Sequence, residues 1–148
     1  MNHEEYMREA IKEAELAHQE GNWPIGSVIV IENKIVARGH NQIYSLQDRL
    51  AHAETNALRQ IPKKLFEPRK VATLYTTYEP CPMCFGAIML SRVKTLVYGT
   101  CIDDSGYAQY RSHLPPEFRK EKFEVEVIPG VLEKECRDVF VKNKFGLK

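Results

Sequence analysis

Two cysteines, Cys81 and Cys84, stand three positions apart in the stretch EPCPMC, in a chain that contains four cysteines. Thiols at this spacing form redox-active disulfides, structural zinc sites or catalytic metal sites, and the spacing alone does not separate the three. A second group, the stretch from His52 to Glu54, offers an imidazole and a carboxylate upstream. Together the two stretches contain the residue types of a zinc site with a general acid/base.

Both stretches are predicted to stand at helix N-termini. The stretch VATLYTTY is typical of a buried strand that runs directly into the cysteines, and Pro82 suits the first turn of a following helix. The stretch AHAETNALRQI favours a helix that begins at His52 and stops before Pro62. In a strand-helix-strand-helix order, two helix N-termini can lie side by side at one sheet edge. We therefore expect His52, Cys81 and Cys84 to converge.

Three protein ligands of nitrogen and sulfur type leave a tetrahedral zinc ion with one open position, which is the catalytic arrangement. A structural site would have a fourth ligand. Zinc lowers the pKa of a water molecule in the open position to about 7. Glu54 lies two residues from a ligand and is too crowded to be another one. We predict that Glu54 is the general acid/base that takes the proton and passes it to the substrate.

Length and composition indicate one ordinary globular domain, residues 1–148. The chain is 43% hydrophobic and 28% charged with a net charge of +1, which is typical neither of disordered nor of membrane proteins. The absence of a strongly basic total makes small substrates the simpler expectation. The N-terminal stretch is acidic where a signal peptide would be basic, and no apolar run approaches a membrane span. We expect a cytoplasmic protein without membrane contact, in which close-set cysteines bind metal or do redox chemistry.

The remaining segments predict a sheet with helices on both faces. An apolar stripe through Tyr6, Ile11 and Ala14 predicts a first helix that ends at Gly21. The stretch SVIVIENKIVARGHN predicts a hairpin, VKTLVYG and FEVEVI predict two more strands, and VLEKECRDVFVKNKF predicts a closing amphipathic helix. The connection over 99–122 is long enough to cross the sheet, which would make the last two strands parallel. The predicted fold class is α/β, a three-layer α/β/α sandwich with a mixed five-stranded sheet.

In its longer motifs the sequence resembles the cytidine deaminase superfamily. The stretches HAETNALR and TLYTTYEPCPMCFGAIMLSRVKTLVYG are similar to the branch that includes guanine and guanosine deaminases, fungal-type cytosine deaminase and bacterial tRNA adenosine deaminase. His-X-Glu followed by Pro-Cys-X-X-Cys is the known signature of zinc nucleobase deaminases. The resemblance implies a cytidine deaminase-like fold, Zn²⁺ on His52, Cys81 and Cys84, and proton transfer by Glu54. It also implies a zinc-dependent hydrolase that needs no organic cofactor and replaces a ring amine by a carbonyl, with loss of ammonia.

The resemblance implies a substrate pocket as well. Asn41 would hydrogen-bond the substrate base, although it could be only a turn residue at a strand end. Asp103 and Asp104 would accept hydrogen bonds from a purine, or else form a solvated turn. The remaining histidines His18, His40 and His113 lack partners at ligand spacing and are expected to be structural or surface residues, with His113 the most suited of them to approach a substrate. The residues predicted to bind substrate are Trp23, Pro24, Ile25, Gly26, Asn41, Ala53, Pro80, Asp103 and Asp104.

The substrate is predicted from departures from the family patterns. The stretches KLFEPRKVA and IDDSGYAQY stand where the tRNA enzymes are expected to show an Asn-Tyr-Arg-Leu-like stretch and a Gly/Ala-rich loop. CPMCFGAIMLSR is closer to the guanine and guanosine deaminases, whereas NWPIG looks more like the cytosine and tRNA enzymes. We predict a free base or nucleoside as the substrate, a guanine-type purine first and cytosine next.

Two alternatives stay open. The first is a tRNA-specific deaminase that converts adenosine to inosine at the anticodon wobble position, and the basic residues Lys142, Lys144 and Lys148 keep RNA in consideration. The second is an inactive, zinc-bound nucleic-acid-binding module, which would have no use for the proton shuttle Glu54. The resemblance further implies a homodimer, in which the apolar stretch GAIMLSR could join the interface.

Overall fold

The sheet of the computed structural model, which describes residues 2–142, contains five strands. They are β1 (Gly26–Ile31), β2 (Lys34–His40), β3 (Ala72–Tyr78), β4 (Thr95–Thr100) and β5 (Glu126–Ile128). Their order across the sheet is β2-β1-β3-β4-β5. β1 is antiparallel to both of its neighbours, whereas β3, β4 and β5 run parallel. The predicted hairpin, the mixed five-stranded sheet and the parallel last pair are all confirmed.

The helices form one layer on each face of the sheet. They are α1 (His3–Gln19), α2 (Ile43–Leu46), α3 (Ala53–Arg59), α4 (Pro62–Phe66), α5 (Pro82–Leu90) and α6 (Glu133–Val141). One buried cluster joins α1 and Cys136 of α6 to the sheet, and a second joins α3 and α5 to the opposite face. The three-layer sandwich is therefore confirmed. Among the described residues, no helix is both long enough and apolar enough to cross a membrane.

The first helix has clear sequence signals at both ends. Asn2 caps it, because the Asn2 side-chain oxygen accepts a hydrogen bond from the Glu5 backbone nitrogen at 3.0 Å, and the Glu5 carboxylate accepts one from Asn2. The chain leaves the helix through Gly21, whose φ of 84° is the left-handed conformation that glycine tolerates best. These local signals explain why the predicted helix is confirmed.

Three segments differ from the prediction. Pro62 does follow α3, yet it also begins the short helix α4, because proline suits a first helical turn. The connection after β4, for which no helix is predicted from the sequence, contains three 3₁₀ helices, Ala108–His113, Pro116–Arg119 and Glu121–Phe123. The last strand is shorter than FEVEVI, since Phe123 and Val125 are buried in the core before pairing begins. The end of the predicted closing helix, 143–145, lies outside the described residues.

We expect Gly26→Ala to lower the free energy of unfolding by about 3 kcal/mol, a large overpacking effect. A Cβ atom on Gly26 would overlap the backbone oxygen of Ala10 and the backbone nitrogen of Ala14, because α1 crosses β1 there. Urea unfolding of the zinc-loaded protein measures the change. Gly86→Ala is the matched control, since a Cβ at Gly86 in α5 meets nothing within 4 Å. The control should gain about 0.5–1 kcal/mol, and equal stability of the two variants would contradict the close packing.

Candidate active site

The three predicted metal ligands come together at the N-termini of α3 and α5. His52 is the residue before α3, and Cys81 is the residue before α5. His52 Nδ1 lies 3.4 Å from Cys84 Sγ and 3.7 Å from Cys81 Sγ. Zinc bonds of about 2.0 Å to nitrogen and about 2.3 Å to sulfur hold such atoms about 3.5 Å apart in a tetrahedral site. The two thiols are not joined in a disulfide, so this donor set fits a zinc ion.

The hydrogen bonds of His52 prepare it as a ligand. Its Nε2 lies 3.1 Å from the carbonyl oxygen of Arg49. A carbonyl only accepts hydrogen bonds, so Nε2 carries the hydrogen and Nδ1 presents its lone pair to the sulfur atoms. The backbone nitrogen of His52 donates to Thr55 Oγ1 at 3.2 Å. The Arg49 carbonyl thus holds the ring in the tautomer that binds metal through Nδ1, and Thr55 holds the backbone of the residue.

The two thiols carry opposite pKa shifts. The hydrogen bond from Cys84, supported by His52, lowers the pKa of Cys81 to about 4. The same hydrogen bond, together with burial, raises the pKa of Cys84. Two sulfur atoms this close resist ionising together unless a cation lies between them. A metal ion removes the conflict, because thiols that coordinate a metal are deprotonated outright.

Glu54 is a buried acid directly beside this site. It lies in the first turn of α3 and is only 4% exposed. Burial raises its pKa to about 7, with a further increase from the charge of Cys81. A carboxyl group with a pKa near neutrality can both take up and release a proton at physiological pH. The structure therefore brings the predicted acid/base next to the predicted ligands.

A cavity of about 350 Å³ opens onto these groups. This volume lies at the lower end of the range for small-ligand sites, about 300–1,000 Å³. Its walls are partly aromatic: the Phe140 ring stacks on Trp23 at 5.8 Å between centroids and lies 4.6 Å from Tyr78. The lining residues are Trp23, Ile25, Asn41, Ile43, His52, Glu54, Tyr78, Glu79, Cys81, Asp103, Ser105 and Phe140. A flat ring can enter with an aromatic face on one side and polar groups at the end.

Four of the residues predicted to bind substrate line this cavity: Trp23, Ile25, Asn41 and Asp103. Asn41 also has the turn role that was its alternative, since its side-chain oxygen accepts from the Ile43 backbone nitrogen at 3.1 Å. The Asp103 carboxylate is engaged by its own loop, accepting from the Ser105 backbone at 2.9 Å and from the Tyr78 hydroxyl at 3.0 Å. The substrate roles of these residues stay predictions.

The other predicted pocket residues do not line the cavity: Pro24, Gly26, Ala53, Pro80 and Asp104. Gly26 and Ala53 are buried between layers, and Asp104 is exposed. The Pro80 carbonyl accepts a hydrogen bond from Tyr107 at 2.7 Å. His113, expected to be a structural or surface residue, is exposed and lies outside the lining. These residues support the backbone around the site or lie apart from it.

Five lining residues were not predicted: Ile43, Tyr78, Glu79, Ser105 and Phe140. For Tyr78 and Glu79 a signal existed, because both stand at the end of the strand that leads into Cys81. Phe140 was placed on the apolar side of the last helix, and nothing in that pattern indicates a cavity.

A metal held by imidazole and two thiolates, with a buried carboxyl group beside it at the edge of an α/β/α sandwich, is the arrangement of the zinc-dependent deaminases. Residues 1–100 match the model of the cytidine and deoxycytidylate deaminase zinc-binding region. The chain belongs to this family, and it is a zinc-dependent enzyme of hydrolytic deamination. The resemblance and the cytidine deaminase-like fold expected from the motifs are confirmed.

Several relatives are similar over most of the chain. The tRNA-specific adenosine deaminase of Bacillus subtilis (strain 168) is 45% identical over 134 residues, covering 88% of this chain and 81% of the relative. The tRNA-specific adenosine deaminase of Buchnera aphidicola subsp. Schizaphis graminum (strain Sg) is 36% identical over 143 residues, covering 94% of this chain and 93% of the relative.

Two solved structures have the same fold. One, from work on A-to-I editing by tRNA:A34 deaminases at the wobble position of transfer RNA, matches with a TM-score of 0.80 at 32% identity, covering 91% of this chain and 98% of that one. The guanine deaminase from Nitrosomonas europaea matches with a TM-score of 0.80 at 21% identity, covering 98% and 86%. At that identity the second likeness shows the fold alone.

Proposed function

We propose that this protein is a tRNA-specific adenosine deaminase that converts adenosine to inosine at the wobble position of an anticodon. The observation that carries the proposal is the 45% identity to the Bacillus subtilis tRNA-specific enzyme across 88% of this chain. The guanine-type substrate that we predicted first has weaker support, because the guanine deaminase is similar at only 21% identity. The alternative from the sequence is therefore the better supported substrate class.

The rim of the cavity suits single-stranded RNA. Three large apolar side chains on residues 43–50 are exposed, Tyr44 at 50%, Leu46 at 57% and Leu50 at 62%. They follow Asn41 and Ile43, which line the cavity itself. Proteins that read RNA loops commonly place unstacked bases on apolar and aromatic side chains. We infer that this rim contacts nucleotides that flank the target base.

The reaction follows from the arrangement of the chain's own groups. Zinc, when bound by His52, Cys81 and Cys84, supplies a Lewis acid that makes a water molecule acidic near neutral pH. The cavity holds one base, so the adenosine must be turned out of its stack to enter. Glu54 takes a proton from the water molecule and passes it to ring nitrogen N1 as the water oxygen bonds to C6. It then carries the second proton of that oxygen to the C6 amine, the C6–N bond breaks, and ammonia leaves inosine behind.

A deamination screen tests the proposed substrate. We expect inosine formation in an anticodon stem-loop with adenosine at the wobble position, at a kcat/KM far above that for free adenosine, guanine or cytosine. Raising the salt concentration should lower the rate steeply, because phosphate contacts depend on ionic strength. A stem-loop with the adenosine moved by one position is the matched control. Guanine or cytosine turned over as well as the stem-loop would contradict the proposal.

Three further predictions accompany this function. The organisation as a single domain over 1–148, the cytoplasmic location and the homodimer remain predictions.

For the homodimer, Leu90 at the end of α5 is 58% exposed and Phe66 of α4 is 90% exposed. Both line one cleft of about 790 Å³ along α3, α4 and α5, which shares no lining residue with the cavity at the metal ligands. The molar mass measured by light scattering tests whether the chain forms a homodimer.

A further inference from the structure

A second buried acid lies at the site, and the reaction described above does not use it. Glu79 follows β3 directly and stands two residues before Cys81. It lines the cavity, and its exposed fraction is 4%. Proton transfer is assigned to Glu54, and the metal ligands are complete without Glu79. A buried carboxyl group is costly unless hydrogen bonds compensate for the lost water. The partners of Glu79 therefore indicate what it is for.

The residues that lie against the Glu79 side chain include three from the segment that leaves β4, residues 101–109. Glu79 Oε2 accepts a hydrogen bond from the backbone nitrogen of Gln109 at 3.0 Å. Burial, and after it the nearby Glu79 carboxyl group, raises the pKa of the Cys101 thiol, which donates a hydrogen bond to the Asp103 backbone oxygen at 2.8 Å. A Cβ atom built on Gly106 would stand 2.6 Å from Glu79 Oε1, so only glycine leaves room for the carboxylate there. The side chain thus touches the start, the middle and the end of this segment.

Backbone hydrogen bonds strengthen the connection. The Glu79 nitrogen donates to the Thr100 oxygen at 2.8 Å, and the Tyr107 nitrogen donates to the Pro80 oxygen at 2.7 Å. The Tyr107 ring packs against Phe85 of α5, with centroids 5.8 Å apart. The segment is therefore attached to the residues directly before Cys81 and to the helix that follows it.

This segment forms one wall of the cavity. It contributes Asp103 and Ser105 to the lining, and Asp103 holds the hydroxyl of a third lining residue, Tyr78. The geometry points to Glu79 as a positioning residue: its carboxylate holds the 101–109 wall at a fixed place relative to the zinc ligand Cys81, and so orients the base toward Glu54. Without the carboxylate, the 101–109 wall keeps its residues but is no longer held at a fixed position relative to the metal ligands.

Glu79→Ala tests this role, and its kinetic arm rests on the proposed function. We expect amide hydrogen exchange to rise at least tenfold at Gln109 and to stay at the wild-type level in α1. We expect kcat on the anticodon stem-loop to fall at least tenfold, because orientation of the reacting base is lost. KM should stay within threefold, since contacts remote from the base hold the RNA. Zinc per chain should not change.

Two variants and one control complete the test. Glu79→Gln keeps an acceptor for the Gln109 amide and should restore most of kcat. Gly106→Ala places a methyl group against the Glu79 carboxylate and should displace it. This variant should therefore reproduce the Glu79→Ala result, which keeps the test valid if Glu79→Ala does not fold. Glu124→Ala removes an exposed carboxylate and should change nothing.

Three outcomes would overturn the inference. They are unchanged exchange at Gln109, raised exchange with unchanged kcat, and loss of zinc from Glu79→Ala, which would make Glu79 a support of the metal itself. A wild-type protein inactive on the stem-loop would instead refute the proposed function. The exchange measurements still apply in that case, and the kinetic arm then uses the compound that the wild type deaminates in the screen.

Discussion

Glu54→Gln is expected to reduce turnover by about 10²–10⁴-fold or more, the usual contribution of a general acid/base. Glutamine has nearly the same shape, so the fold and the metal should remain. It cannot accept and release a proton, however, and Glu54 serves more than one proton transfer in each cycle. Burial raises its pKa to about 7, a value suited to proton transfer in both directions near neutral pH.

The measurement is inosine formation together with zinc content and thermal unfolding. Glu124→Gln makes the same chemical change at an exposed position and should keep full turnover. Turnover near the wild-type rate in Glu54→Gln, with zinc present, would show that another group moves the protons.

Cys84→Ala is expected to remove both the zinc and the activity. Cys84 is fully buried, so no side chain from the surface can replace it, and His52 and Cys81 alone leave zinc with two protein ligands instead of three. Elemental analysis of protein purified without added metal should find about one zinc per wild-type chain and far less in the variant.

Cys136→Ala provides the matched control for this change. Cys136 is equally buried, yet it belongs to the cluster on the opposite face of the sheet, with Tyr6 and Met7. The control should lose some stability, through the small cavity it creates, and keep its zinc. If Cys84→Ala retains zinc in full, the ligand assignment is wrong.

The metal site could be predicted from the sequence because its signals are local. Pro82 and the strand VATLYTTY indicate where α5 begins, and the helix-favouring stretch after His52 indicates the start of α3. Residue types then identify the chemistry. Convergence of the two helix starts follows from the order of strands and helices, without any knowledge of side-chain packing.

The cavity wall could not be predicted in the same way. Phe140 reaches the cavity only because α6 docks against the sheet beside Trp23, and an apolar stripe says nothing about its partner. Gly26 was predicted to bind substrate, whereas its lack of a side chain makes room for the crossing of α1. A close contact between a helix and a strand, such as that of α1 with Gly26, exists only when the layers of the sandwich are packed together.

The substrate prediction rested on departures from the family pattern in two stretches, and only one of these stretches lines the cavity. IDDSGYAQY contributes Asp103 and Ser105 to the cavity. KLFEPRKVA does not line it, and several of its residues line the other cleft, along α3, α4 and α5. A departure from a family pattern there says little about which base enters the site.

The ring of Phe140 has a consequence for how this enzyme can diverge. The groups that carry out the reaction lie between His52 and Cys84, inside the part of the chain that matches the family model, whereas Phe140 lies beyond residue 100. Substitutions in α6 can therefore reshape the space for the substrate while the ligands and Glu54 stay untouched. Selection can act on substrate preference in one region of the gene and preserve the reaction in another.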